Sequence, residues 1–223
     1  MKFNEYADRD MLAIEVANEM AGDLKTHLLH NDLVSLAVAG GTTPAPIFDD
    51  LCAADIDWAR VQVMATDERW VAEDNPRSNA AMIRARLLQN RAAAAQFMPF
   101  YLPGQDPAAA AVELERQLQD KLPLSVVLLG MGEDMHTASL FPGADGLEEA
   151  LAADAPAFAV MRPDSQPEAR ISLTARVLDA AIAKHLVIFG DAKRAALERA
   201  MTLPPEEAPI QAVLSEARVH WAP

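Results

Sequence analysis

The chain has a single cysteine in 223 residues. That excludes an internal disulfide and a cysteine metal cluster. Cys52, in IFDDLCAAD, reads as a small buried hydrophobe on the apolar side of a helix rather than as a nucleophile. Basic residues are also scarce: 19 lysines and arginines stand against 33 acids, a formal net charge of −14. A nucleic-acid partner would require a basic face, so none is expected. No uninterrupted apolar run reaches about 18 residues, which argues against a spanning helix and a membrane partner. The first segment, MKFNEYADRDMLAIEVANEM, carries acids where a secretory signal needs a continuous apolar core, and a cytoplasmic location is expected. No HExxH or similar ligand spacing occurs, so no catalytic metal is expected. AGGTTP is not GxGxxG, and a dinucleotide-binding domain is the weaker reading of it.

What the chain does have is an alternation of short apolar runs with longer helical ones. Leu12, Val16, Met20, Leu24 and Leu28 recur at helical spacing in RDMLAIEVANEMAGDLKTHLLHND. LVSLAVA (33–39), RVQVMAT (60–66), LSVVLLG (124–130), AFAVMRP (157–163), ARISLT (169–174) and HLVIFG (185–190) read as strands, with RVHW as a last short one. Helices are expected in TPAPIFDDLCA, in PRSNAAMIRARLLQN and in DPAAAAVELERQLQDKL, where Asp106 caps before Pro107. ARVLDAAIAK and DAKRAALERAM supply two more. Alternating units with apolar strands predict one α/β domain spanning 1–223, built on a mostly parallel sheet with helices on both faces.

In such sheets ligands bind beyond the carboxyl ends of the strands, so the segments after each strand decide the chemistry. AGGTTPAP follows the first. Gly40 and Gly41 let a ligand approach the backbone, and Thr42 and Thr43 open a helix whose N–H groups favour an anion. A plain tight turn with a threonine cap explains the same residues, and two glycines alone do not decide between them. TDERWVAEDNPRSN follows the second strand. Asp67, Glu68 and Arg69 could be a solvated loop. Arg69 is also a bidentate anion donor, and Asp67 could hold a sugar hydroxyl or a water. Ser78 and Asn79 read as a cap.

The densest segment is GMGEDMHTASLFPG, after the third strand. Asp134 precedes His136 by two residues, close enough to orient the imidazole and raise its basicity. Acid, histidine, glycines and hydroxyls together at a strand end favour function over a structural histidine. Arg170 and Lys193 could join Arg69 in a local positive pocket that the acidic chain otherwise lacks. His27, His30, His185 and His220 carry less weight.

AGGTTP, TDERWV…DNPRSN, GMGEDMHTASLFPG, RISLT and GDAK occur in the order that resembles the 6-phosphogluconolactonases, from about residue 33 to 194. That superfamily is shared with glucosamine-6-phosphate deaminases and has a Rossmann-like fold. The resemblance implies cofactor-free hydrolysis of 6-phospho-D-glucono-1,5-lactone in the oxidative pentose phosphate pathway. The partner it implies is a small sugar-phosphate lactone, met by a monomer or homodimer. It implies His136 as general base, Asp134 as its support, and Asp67 orienting hydroxyls or water. It implies a phosphate site of Gly40, Gly41, Thr42, Thr43, Arg69, Arg170 and Lys193, with backbone N–H groups near Gly130 to Gly132 stabilising an oxyanion. The family commonly has glycine where this chain has Met135, which would be strained at a positive φ. The deaminase branch typically continues through Ile-Ala-Phe-Asn-Glu-Pro; here TASLFP puts Phe141 at the glutamate. A sugar-phosphate binder without chemistry is the remaining alternative.

Overall fold

The computed structural model describes residues 1–163 and 167–223. The described residues form ten strands: β1 (Lys2–Glu5), β2 (Val34–Val38), β3 (Val61–Ala65), β4 (Asp67–Arg69), β5 (Gln96–Met98), β6 (Val126–Leu129), β7 (Phe158–Met161), β8 (Arg170–Leu173), β9 (Ala183–Phe189) and β10 (Arg218–Ala222). Between them lie helices α1 (Arg9–Leu28), α2 (Ala45–Leu51), α3 (Asn79–Arg86), α4 (Pro107–Leu118), α5 (Leu147–Leu151), α6 (Ala175–Asp179) and α7 (Gly190–Ala200).

Seven strands form one sheet in the order β1-β10-β9-β6-β2-β3-β5, and every pairing in it is parallel. The central strands β2 and β6 are buried at every position, as unbroken apolar runs require. From β2 the chain builds through β3 and β5 toward one edge, then from β6 through β9 and β10 toward the other. The order reverses between β2 and β6, the position where such sheets open a ligand crevice.

Helix α1 crosses β2, β6, β9 and β10. Its Leu12, Val16, Met20 and Leu24 are fully buried, each contributing about 1.5–3 kcal/mol relative to exposure. Asp8 caps it, accepting from the Met11 N–H at 2.8 Å. Asp106 caps α4 through the Ala108 N–H, with Pro107 at the first helical position. Cys52 is buried at the end of α2.

The sequence reading needs correction in several places. The strands expected from AFAVMRP and ARISLT are formed, but in a second, antiparallel sheet of order β4-β8-β7. Its third strand is Asp67–Arg69, whose three charges also fit a solvated loop; pairing with Arg170–Ser172 puts Asp67 and Glu68 in the interior. The helix expected over ARVLDAAIAK ends at Asp179. The Ile182 and Ala183 N–H groups are taken by the Leu124 and Ser125 carbonyls, which start β9 two residues early. Thr42 and Thr43 do not open α2, which begins at Ala45 with Pro44 at its cap position. Strands β1 and β5 were not anticipated: both are short and partly exposed, and neither carries an apolar run.

Candidate active site

A cleft of about 220 Å³ lies at the reversal point, over the ends of β2 and β6. Of the residues singled out in the sequence, Gly40, Gly41, Thr43, Asp67, Arg69, His136, Arg170 and Lys193 line it. Thr42 lines an adjoining cleft that shares Gly41, Arg69 and Asn79. Asp134 stands behind His136 rather than on the wall.

The loop after β6 holds the histidine. Asp134 Oδ1 accepts from the His136 backbone N–H at 3.2 Å and lies 2.6 Å from ring Nδ1. Hydrogen bonding from His136 pulls the Asp134 pKa below the usual carboxylate value, although partial burial opposes it. With the proton on Nδ1, Nε2 carries the lone pair, and it has no hydrogen-bond partner among the described residues. Gly132 is required by this pair. A Cβ there would stand 2.3 Å from both His136 Nδ1 and Asp134 Oδ1. The Gly132 N–H donates to the His136 carbonyl at 3.0 Å, so it is not available as an oxyanion donor. Met135, between acid and histidine, adopts φ +66°.

On the β2 side, Gly41 has φ +86°, and Gly40 has no space for a side chain. A Cβ on Gly40 would meet Asn79 Oδ1 at 2.0 Å. Asn79 Oδ1 accepts from Arg69 Nη1 at 3.0 Å, and its Nδ2 donates to the Asp67 carbonyl at 2.8 Å. Ser78 caps α3, as the sequence suggested, and Asn79 also fixes the arginine. Glu68 holds the base of this arrangement. Its fully buried carboxylate accepts from the N–H groups of Arg69, Asn79 and Ala80 and from Ser78 Oγ. Burial raises its pKa, while the backbone donors oppose the shift.

Asp67 is committed to the protein. Oδ1 accepts from Thr66 Oγ1 at 3.1 Å and Oδ2 from Ser139 Oγ at 2.5 Å, with Arg170 Nη1 at 3.7 Å. Ser139 lies in the histidine loop, so this contact ties that loop to the small sheet; its N–H also donates to Ser172 Oγ at 3.1 Å. Burial lowers the Arg170 pKa, and Asp67 acts against that. Arg69 and Lys193 form no ion pair among the described residues. Three cations therefore line one cleft of an acidic protein, and only one of them sits beside a carboxylate.

Glu19 and Ser139 carried no individual role in the sequence reading and Asn79 only that of a helix cap; Asn79 and Ser139 prove central to the cleft's hydrogen bonding. The signal for Ser139 was its place in the dense loop; Asn79 could be found only through the space that Gly40 leaves. Glu19, His185 and His220 bring ligand-type atoms within 4.8 Å of one another. The imidazole nitrogens there are already engaged with one another, with Tyr6 and with Asp23, and Arg218 holds Glu19. No helix among the described residues is long and apolar enough to cross a membrane.

A model of the family described as glucosamine-6-phosphate isomerases/6-phosphogluconolactonase matches residues 7–221. The chain belongs to that family. A curated relative from Mesorhizobium japonicum, named 6-phosphogluconolactonase, is 42% identical over 99% of this chain and 95% of its own length. The crystal structure of a 6-phosphogluconolactonase from Shewanella baltica superposes with a TM-score of 0.95 at 31% identity, covering 100% of this chain and 98% of that one. A monomeric glucosamine-6-phosphate deaminase shares the fold at a TM-score of 0.80 and 19% identity, covering 100% and 97%. The fold alone therefore does not select between the two reactions.

Proposed function

We propose that the chain hydrolyses 6-phospho-D-glucono-1,5-lactone to 6-phosphogluconate, with His136 as general base. The observation that carries this reading is the placing of the His136–Asp134 pair and three cations around one cleft. The cations Arg69, Arg170 and Lys193, with the backbone turn at Gly41 to Thr43, take the phosphate. The dianion supplies the charge that Arg69 and Lys193 lack, and its binding energy holds the lactone carbonyl near His136.

Nε2 of His136 removes a proton from water as the water oxygen attacks the lactone carbonyl carbon. The tetrahedral intermediate collapses by breaking the bond from that carbon to the ring oxygen. The imidazolium returns its proton to the departing oxygen, and Asp134 stabilises the charged ring throughout. Asp67 acts in this reading through Arg170 and Ser139, and as a cleft-lining carboxylate it keeps lone pairs for a substrate hydroxyl or water. The deaminase reading is weaker. Ring opening there needs an acid at the position of Phe141, and Phe141 is a buried aromatic packed on His136.

The test is to generate the lactone in situ from glucose 6-phosphate and follow its loss above the spontaneous rate, with and without EDTA. Parallel samples receive glucosamine 6-phosphate and are assayed for ammonia. Fast, EDTA-insensitive lactone loss without ammonia supports the proposal. Sugar-phosphate binding with neither reaction would overturn it in favour of a non-catalytic binder.

A further inference from the structure

We propose that Phe141 is a positioning residue that sets the plane of the His136 ring and holds that ring in register with Arg170; the inference rests on the general-base reading above. A single hydrogen bond to Asp134 fixes Nδ1 but leaves the ring able to tilt about the N···O line. Gly132, next to the ring, has no side chain to prevent this. Phe141 supplies the missing constraint. Its ring stacks on the imidazole with centroids 4.2 Å apart and planes at 23°.

The Phe141 ring is itself held. It is 7% exposed, and its backbone carbonyl accepts from the Ala144 N–H at 3.1 Å. Two residues earlier Ser139 is fastened to both Asp67 and Ser172, and the Leu140 N–H is bound to the Thr137 carbonyl at 2.9 Å. Arg170 Cζ lies 5.2 Å from the centroid of the same ring. One aromatic side chain thus touches both the group assigned to take the proton and a group assigned to hold the phosphate. His136 and Arg170 line the cleft whereas Phe141 does not, so it acts through them. The stacked face gains a second role during turnover, since an aromatic ring attracts the imidazolium that forms when His136 takes a proton. Leucine would fill part of the volume and provide neither the plane nor the quadrupole.

The experiment combines kinetics on the lactone with proton NMR of the histidine ring. In Phe141→Leu, kcat should fall about ten- to a hundredfold, the scale of a small misplacement of a catalytic group. KM should change by less than about threefold, because Arg170 keeps its contacts with Asp67 and Ser139 and uniform binding is retained. In a His136→Ala background the Phe141→Leu change should cost nothing further, since residues that act as a unit are not additive. An unchanged kcat in Phe141→Leu, or an equal fall in the His136→Ala background, would overturn the proposal. Should Phe141→Leu fail to fold, the wild-type protein decides: the His136 ring protons should resonate upfield through the stacked ring current, and unshifted resonances would overturn it. If His136→Ala itself keeps normal turnover, the general-base reading fails; if that variant is inactive while Phe141→Leu is normal, only this inference fails.

Discussion

Met135 gives the most direct test of how the histidine loop is held. It sits at φ +66° with its side chain almost fully buried. For a residue with a Cβ, left-handed backbone costs roughly 1–2 kcal/mol. Glycine escapes that cost but loses roughly 0.5–1 kcal/mol relative to alanine through unfolded-state freedom. Met135→Ala and Met135→Gly both remove the buried thioether, a loss of about 2–5 kcal/mol that is nearly common to the two. Their difference therefore isolates the backbone, and Met135→Gly should be the more stable by about 0.5–1 kcal/mol. In a chain of this length that is about 1–4 °C in Tm. The hydrogen bonds from the Met135 N–H to the Gly132 carbonyl and from the Ile210 N–H to the Met135 carbonyl survive both changes. The assay is reversible denaturation of the two variants, with Ala109→Gly, at an exposed position of α4, as the helical control. There glycine should lower stability by about 1 kcal/mol, the usual sign. If Met135→Gly is less stable than Met135→Ala by a similar margin, the loop does not hold a left-handed residue at 135 and the reasoning is refuted.

Three further outcomes follow from the geometry. Gly132→Ala forces a methyl into the His136–Asp134 contact, so kcat should drop at least about a hundredfold with little change in KM; near-normal turnover would show that the pair is not needed as drawn. Gly40→Ala displaces Asn79 and with it the Arg69 contact, so KM should rise about tenfold or more, equivalent to loss of one charged hydrogen bond of about 1.5–3 kcal/mol; an unchanged KM in steady-state kinetics would remove Arg69 from the phosphate site. Burial, with His185, Arg218 and Lys2 adding to it, depresses His220 from 6.5 to about 3. The unfolded chain binds that proton first, so stability should fall as pH drops from 6.5 toward 3, by up to about 1.4 kcal/mol per pH unit. Asp23, also depressed, contributes with the same sign at the acid end. Denaturant midpoints across that range should show a shallower slope in His220→Gln; an unchanged slope would mean the histidine is protonated in the folded state.

The major parallel strands and the longer helices were legible because their signals are local. Val126–Leu129 is apolar throughout, and Asp106 with Pro107 announces a helix start. Asp67–Arg69 was not legible as a strand, since its pairing with Arg170–Ser172 depends on a segment about a hundred residues away. The same non-local pairing converts Asp67 from a loop acid to a buried partner of Ser139 and Arg170. Gly40 was read as a place where a ligand approaches the backbone, and the side chain packed against it in the fold is that of Asn79. Phe141 was noticed for the acid that it is not, whereas its contact with His136 emerges only once the loop folds back on itself.

Two histidine–carboxylate pairs in this protein make the general point. His136 meets Asp134 at 2.6 Å, and His185 meets Asp23 at 2.9 Å. The hydrogen bonds are alike, so a carboxylate orienting an imidazole does not by itself identify a catalytic group. What separates them is the fate of the second ring nitrogen. In His185 it faces His220, whose other nitrogen meets the Tyr6 hydroxyl. If Asp23 accepts from Nε2–H of a neutral His185, then Nδ1 accepts from His220 Nε2–H, and His220 Nδ1 accepts from Tyr6. Every imidazole nitrogen in that chain has a partner inside the fold, and the His185 ring is fully buried. In His136 the second nitrogen has no partner among the described residues, and the ring stands on the wall of a cleft lined by three cations. The spacing of Asp134 and His136 made the first pair visible in sequence. The second was invisible there, joining residues 162 positions apart. In the proposed reading chemistry belongs to the pair with an unengaged ring nitrogen facing a ligand-sized space, and stability to the pair that is closed on itself.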